Sequence, residues 1–415
     1  ADPEQSLTSQ QPNLRPQVSL PEVPGLVSAA DLRCTAGTIA EWQLPDGMIP
    51  WFPGGHADPW NHVEAAMALA VTGHLDEAEA AYRWLVGNQH ESGAWHRFYL
   101  AGGIEDAKFD ANVTAYVATG VWHHWLLTGN RSFLEALWPV VERAIDFVLD
   151  LQTPRGEVLW ARHPDGTPWS FALLTGSSSI CHSLRCAVAL AEELGHERPD
   201  WELSLGLLAH VVRTRPDGAF APKDRWAMDW YYPVLGGAIT GDEARYHLAD
   251  RYHEFVMEGH GVRCVGNKDW ATAAETSECA MAHLLVDDRK TAADLFHSTQ
   301  SKRQPDGRNL TGNVYPDRLT IPDRECSTYT AAAVILAADA LTDLDDHALL
   351  VVGVLGNQKH FAFFFHPQYF CCQLIALNHR QFDQLRIAAI GNDFFGCTQL
   401  SPRFAIQARK VYQIL

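Results

Sequence analysis

The sequence predicts an all-α protein of six helical hairpins closed into a ring, an (α/α)6 toroid. Three observations carry this. Glycine turns recur at Pro45-Asp46-Gly47, Ser92-Gly93, Arg155-Gly156, Pro216-Asp217-Gly218, His260-Gly261 and Pro305-Asp306-Gly307. After each turn comes a short β-like or irregular stretch, then two helical patterns. One helix of each pair is small and apolar on most faces, and the other is amphipathic. A double ring needs that contrast, because inner helices touch neighbours all round while outer helices keep a wet face. Six pairs close a ring, and the chain starts with no polar capping unit of the kind an open solenoid needs.

The elements follow in order. Trp60–Thr72 reads as an Ala-rich inner helix stopped by Gly73, and Leu75, Ala78, Tyr82 and Leu85 stripe its outer partner. Ala111–Thr128 is the second inner helix, ended by Gly129, and Leu134 to Val148 carries a 3.6-residue stripe. Ser177–Leu194 with Trp201–Val212, Trp230–Thr240 with Asp242–Met257, and Glu275–Val286 with Arg289–Thr299 continue the pattern. Glu325–Leu341 is the sixth inner helix. Residues 1–26, polar and Pro-rich, read as a flexible arm without the basic and apolar regions of a signal peptide. The toroid spans 27–342. The segment 343–415 does not fit the repeat: all fourteen tryptophans precede it, while half of the eighteen phenylalanines lie at or after Phe361. It is left unassigned, with a sixth outer helix as one reading.

Composition narrows the function. A net charge of -18 argues against nucleic acid and anionic membranes as partners, both of which need basic patches. No apolar run reaches the ~18 residues of a spanning helix. Nine cysteines at irregular spacing resemble neither a disulfide framework nor a zinc site, which fits a reducing, cytoplasmic compartment. Neither a phosphate-cradling loop nor a dinucleotide fingerprint is present, so no cofactor is expected. His56, Asp58 and His62 read as hydrogen-bonded polar residues rather than as a metal set.

In a toroid the segments leading into the inner helices meet at one end of the central cavity. The first lead-in holds Trp51, Phe52, His56, Asp58, Trp60 and Asn61, and the second Asp106, Phe109, Asp110 and Asn112. The third holds Trp169 and Ser177–Ser179, and the fourth Trp226, Asp229, Trp230, Tyr231 and Tyr232. The fifth holds Lys268, Asp269, Trp270, Glu275 and Glu278, and the sixth Tyr315, Asp317, Asp323 and Glu325. Each carboxylate alone reads first as a helix cap. Capping does not explain the aromatics beside them. Sugar rings offer an apolar face to indoles and hydroxyls to carboxylates, and glycoside hydrolysis needs two carboxyl groups across the bond.

Gln89-His90-Glu91-Ser92-Gly93-Ala94-Trp95 matches the QxxxGxW repeat of squalene cyclases and prenyltransferase β-subunits, and Asp343 to Asp346 matches a DxDD acid motif. An isoprenoid enzyme is therefore the alternative, with a non-catalytic carbohydrate-binding protein as a third reading. The stretches Trp51 to Trp60 and Met228 to Pro233, with Trp270 and Glu275, resemble actinobacterial proteins often labelled prenyltransferase-repeat proteins, which are similar to six-hairpin glycosidases. The mycobacterial methylmannose polysaccharide hydrolases, intracellular enzymes, are the nearest such family. The resemblance covers about Leu44 to Leu341 and implies endo-acting hydrolysis of an α-1,4-linked methylated mannan, with inversion. Asp58 and Glu275 are the expected carboxylate pair, their roles as acid and base open, with Asp110 and Asp229 in reserve. Trp51, His56, Trp60, Trp95, Trp230, Tyr232 and Trp270 are the expected sugar contacts.

Overall fold

The computed structural model describes residues 19–322 and 324–342. The chain is mainly helical. Helix α1 (Ala29–Trp42) opens on a capping box in which Ser28 and Asp31 satisfy each other's backbone. Then come α2 (Pro59–Val71), α3 (Leu75–Asn88), α4 (Ala111–Ala115), α5 (Val117–Thr128) and α6 (Arg131–Asp150). They are followed by α7 (Leu174–Leu194), α8 (Pro199–Thr214), α9 (Ala227–Leu235), α10 (Gly241–Asp250) and α11 (Tyr252–Phe255). The last are α12 (Ala273–Leu284), α13 (Arg289–Thr299) and α14 (Thr328–Leu341). The helix expected over 230–240 ends early at Leu235, after Pro233 and before the Gly236-Gly237 pair.

Packing follows a cyclic order. Helices α2, α5, α7, α9, α12 and α14 touch in sequence, and α14 touches α2 again. In α2 eleven of thirteen residues are buried, against two of ten in α10, so the first lies inside and the second outside. Outer helices α3, α6, α8, α10 and α13 each pack on the inner helix before them, and α1 packs on α14. The outer partner of α14 among the described residues thus comes from the N-terminal side. Val23 and Val27 are buried, and Glu22 bonds the Thr342 hydroxyl, so the chain is fixed to the body earlier than the arm over 1–26 implies. Residues 343–415, with Asp343 to Asp346, lie outside the described residues.

The glutamine and glycine of the QxxxGxW stretch form a clasp. The Gln89 amide donates to the carbonyls of Gly93 and of Val140 on α6. Gln43 does the same toward Gly47 and Glu77 on α3, and Gln152 toward Gly156 and Ser204 on α8. Each turn is thereby tied to the next outer helix. A Cβ on Gly93 would lie 2.3 Å from the Arg143 carbonyl oxygen, and one on Gly47 2.2 Å from that of Ala80. Only glycine fits so close an approach, and both positions have positive φ. Gly307 packs likewise on Cys34 and Thr35 of α1, which carries the outer layer round to its start.

Two small antiparallel sheets depart from the all-α expectation. One joins β1 (His96–Leu100), β2 (Gly103–Asp110) and β3 (Ala161–Arg162). The other joins β4 (Val256–Met257), β5 (Gly261–Arg263), β6 (Trp270–Thr272), β7 (Gly312–Val314) and β8 (Leu319–Thr320). Both belong to the lead-ins of inner helices, since β2 runs into α4 and β6 into α12. Backbone bonds link each lead-in to the next: Ala57 with Tyr99, Ala111 with Trp160, Ala172 with Ala221, Ala227 with Cys264, Ala273 with Thr311, and Thr328 with Trp51. The circle of bonds closes and makes a rim.

Candidate active site

The rim gathers the expected carboxylates, each held differently. Asp58 is the N-cap of α2 and is 3% exposed. Its Oδ1 accepts from the Asn61 backbone N–H at 3.0 Å, and its Oδ2 accepts from the Trp51 indole and the Asn61 amide, both at 2.7 Å. Burial raises its pKa above the ordinary value, and the donors from Asn61 and Trp51 oppose that rise. Asp110 caps α4, accepts from Val113 and from the Trp160 indole at 2.6 Å, and is likewise raised by burial. Asp229 bonds the backbone and hydroxyl of Thr175, so it ties α9 to the start of α7, and burial raises it too.

Glu275 is only half-buried, in the first turn of α12, and accepts from the Thr272 hydroxyl. Its charge reaches Tyr329, at the start of α14. That phenol is pushed up to about 12, first by burial and then by the Glu275 charge. Tyr329 also meets Trp51 edge-on, with centroids 4.9 Å apart. One ring therefore links the surroundings of Glu275 to the indole that holds Asp58.

The expected sugar contacts divide by burial. Trp51, His56, Trp60 and Trp270 are half-buried and keep exposed area. His56 stacks on Phe98 at 4.2 Å and pairs with Glu105 at 2.9 Å. The Trp270 indole donates to the Ile321 carbonyl. Trp95 and Trp230 are corrections. Trp95 is 0% exposed and donates to the Leu85 carbonyl; Trp230 is 1% exposed, stacks on Phe255 and donates to His247. Neither offers a face to a sugar. Trp95 completes the QxxxGxW stretch from within the core, which gives all three motif residues a structural task and leaves the isoprenoid reading without support there.

Tyr232 is also buried, in the wall of a chamber on the ring axis. The chamber holds about 50 Å³ and is lined among others by Glu64, Tyr116, His182, Tyr232 and Glu278. Glu64 accepts from the Trp60 indole at 2.8 Å and the Tyr116 hydroxyl at 3.1 Å, while Glu278 accepts from the hydroxyls of Tyr231 and Tyr232. Burial raises both acids, Glu64 to about 7; the Asp58 charge adds to the rise of Glu64, and the charges of Glu64 and Glu275 to that of Glu278. Glu64 was not an expected site residue. Its signal is that it is the single acidic residue of a mostly apolar inner helix, one turn after Trp60. Phe98, Trp160 and Tyr329 were also missed: Phe98 on β1 and Trp160 in a lead-in carry no helical stripe, and Tyr329 lies in the first turn of the apolar helix α14, where a lone aromatic reads as core.

No family model matches the chain. It is 49% identical over 324 residues to the MMP endo-(1,4)-3-O-methyl-α-D-mannosidase of Mycolicibacterium hassiacum, covering 78% of this chain and 89% of that protein. Among solved structures it is similar to a wild-type glycosidase, with a TM-score of 0.59 at 14% identity, covering 76% of this chain and 98% of that one. It is also similar to the GH63 mannosylglycerate hydrolase of Thermus thermophilus, solved with glucose, with a TM-score of 0.57 at 11% identity, covering 74% and 99%. Those two likenesses carry the fold, and the first relative carries the family. With nearly half its residues shared across most of both proteins, the chain belongs to the glycoside hydrolase family of the MMP endo-(1,4)-3-O-methyl-α-D-mannosidase.

Proposed function

We propose that the chain hydrolyses α-1,4 linkages within a 3-O-methylated mannan, by endo action and with inversion, on an (α/α)6 toroid of six hairpins spanning 27–342. The observation that supports the reading is the run of contacts from Asp58 through Trp51 to Tyr329, a phenol that feels the Glu275 charge. Burial favours the protonated form of Asp58, which suits it to be the general acid. Glu275 is open enough for a water to reach, which suits it to be the base. Asp58 gives its proton to the leaving glycosidic oxygen as the C1–O bond breaks. Glu275 takes a proton from the water whose oxygen bonds to C1 from the other face. Trp51, His56, Trp60 and Trp270 line the sugar, while Asp110 and Asp229 hold the rim.

The cyclic helix contacts and the circle of lead-in bonds support the toroid. The six described cysteines are all free, which fits a reducing, cytoplasmic setting. The test is digestion of an α-1,4-linked 3-O-methylmannan by wild type and Glu275→Gln, read as product lengths by mass spectrometry. Internal fragments from wild type and none from the variant are expected. Monomers alone would refute endo action, and an intact polymer would refute the activity.

A further inference from the structure

Aromatic rings succeed one another along the rim well beyond the carboxylate pair. From Tyr329 the contacts run to Trp51, and Trp51 meets Phe98 at 6.0 Å. The Arg97 guanidinium lies 4.6 Å from the Phe98 centroid and 5.5 Å from that of Trp160, so it spans the two rings. Trp160 meets Trp169 at 4.8 Å. The run passes from the sixth lead-in through the first and second to the third. All six side chains are half-buried, anchored yet partly exposed, unlike the enclosed Trp95 and Trp230.

The run is also tied to the acids. Trp51 holds Asp58 and Trp160 holds Asp110, so its rings are fixed relative to the cleavage point. Asp106 lies 2.9 Å from Lys108 and 3.6 Å from Arg97, so one carboxylate offsets part of the charge of the two cations. A path of five aromatic rings suits a chain that offers apolar ring faces and methyl groups.

We propose that this path is a set of distal subsites holding several residues of one polysaccharide chain to one side of the scissile bond, with Trp169 as its outer platform. The proposal rests on the hydrolase reading above and adds the direction in which the chain lies. It makes Trp169 a determinant of chain-length preference.

The test compares kcat/KM on α-1,4-linked 3-O-methylmanno-oligosaccharides of about four and about ten residues, for wild type, Trp169→Ala and Trp169→Phe. Trp169→Ala should lose about five- to tenfold more on the long substrate than on the short one, through KM rather than kcat. Trp169→Phe keeps a ring and should regain most of the loss. Equal losses on both lengths, or no loss on either, would overturn the path while leaving the activity standing. Failure of the wild type to cleave either length would overturn the activity reading and the path with it.

Discussion

The Trp51 indole donates to the Asp58 carboxylate at 2.7 Å, so the ring proposed to touch sugar also fixes the carboxyl group proposed as the acid. That donor stabilises the charged form and lowers the Asp58 pKa. Trp51→Phe keeps an aromatic face and removes the donor. The Asp58 pKa then rises, and the alkaline limb of the kcat/KM profile moves to higher pH, with kcat down about tenfold. An unmoved alkaline limb would show that Asp58 is not the acid.

Acid and base separate by leaving group. Asp58→Asn and Glu275→Gln should each cut turnover of the natural linkage by about 10²–10⁴-fold. An aryl glycoside with a good leaving group needs no proton from Asp58, so Asp58→Asn should keep most of its rate there. Glu275→Gln should not. The reverse pattern exchanges the two roles.

The axial acids give a stability signature. Glu64 is raised from 4.5 to about 7, so the folded chain holds its proton over a range in which the unfolded chain releases it. Stability must therefore fall as pH rises through that window. In Glu64→Gln this contribution is absent. Urea midpoints measured from pH 4.5 to 7.5 should decline less steeply for the variant than for wild type, and parallel curves would contradict the assignment.

Trp95→Ala removes an enclosed ring from the core and should cost about 3–5 kcal/mol. It should leave KM of the folded enzyme unchanged at low temperature. A raised KM with unchanged stability would return Trp95 to the sugar site.

The ring was legible because glycine marks each turn where the backbone of the next outer helix comes close, as at Gly47, Gly93 and Gly156. Helix α1 escaped notice because it precedes the first such turn, and its stripe of Leu32, Thr35, Ala36 and Ile39 is weak and partly polar. The stretches after the turns read as β-like or irregular, but their pairing into sheets escaped because most of the strands span two or three residues, too short for alternation to show. Within the site, residue type alone does not separate a rim indole from a core one. Trp51 and Trp95 both follow a glycine turn within a few residues, yet one meets solvent and the other the backbone of α3. Pairing across the rim, as between Tyr329 and Trp51, joins residues far apart in the chain and becomes visible only in three dimensions.

The central claim is carboxylate-driven hydrolysis of internal α-1,4 bonds, and real-time proton NMR of a 3-O-methylmanno-oligosaccharide digest tests it most directly. The account predicts new reducing ends that appear first as the β-anomer and then mutarotate, and none with Glu275→Gln. Reducing ends that appear first as the α-anomer, or an unchanged spectrum with wild type, would contradict it.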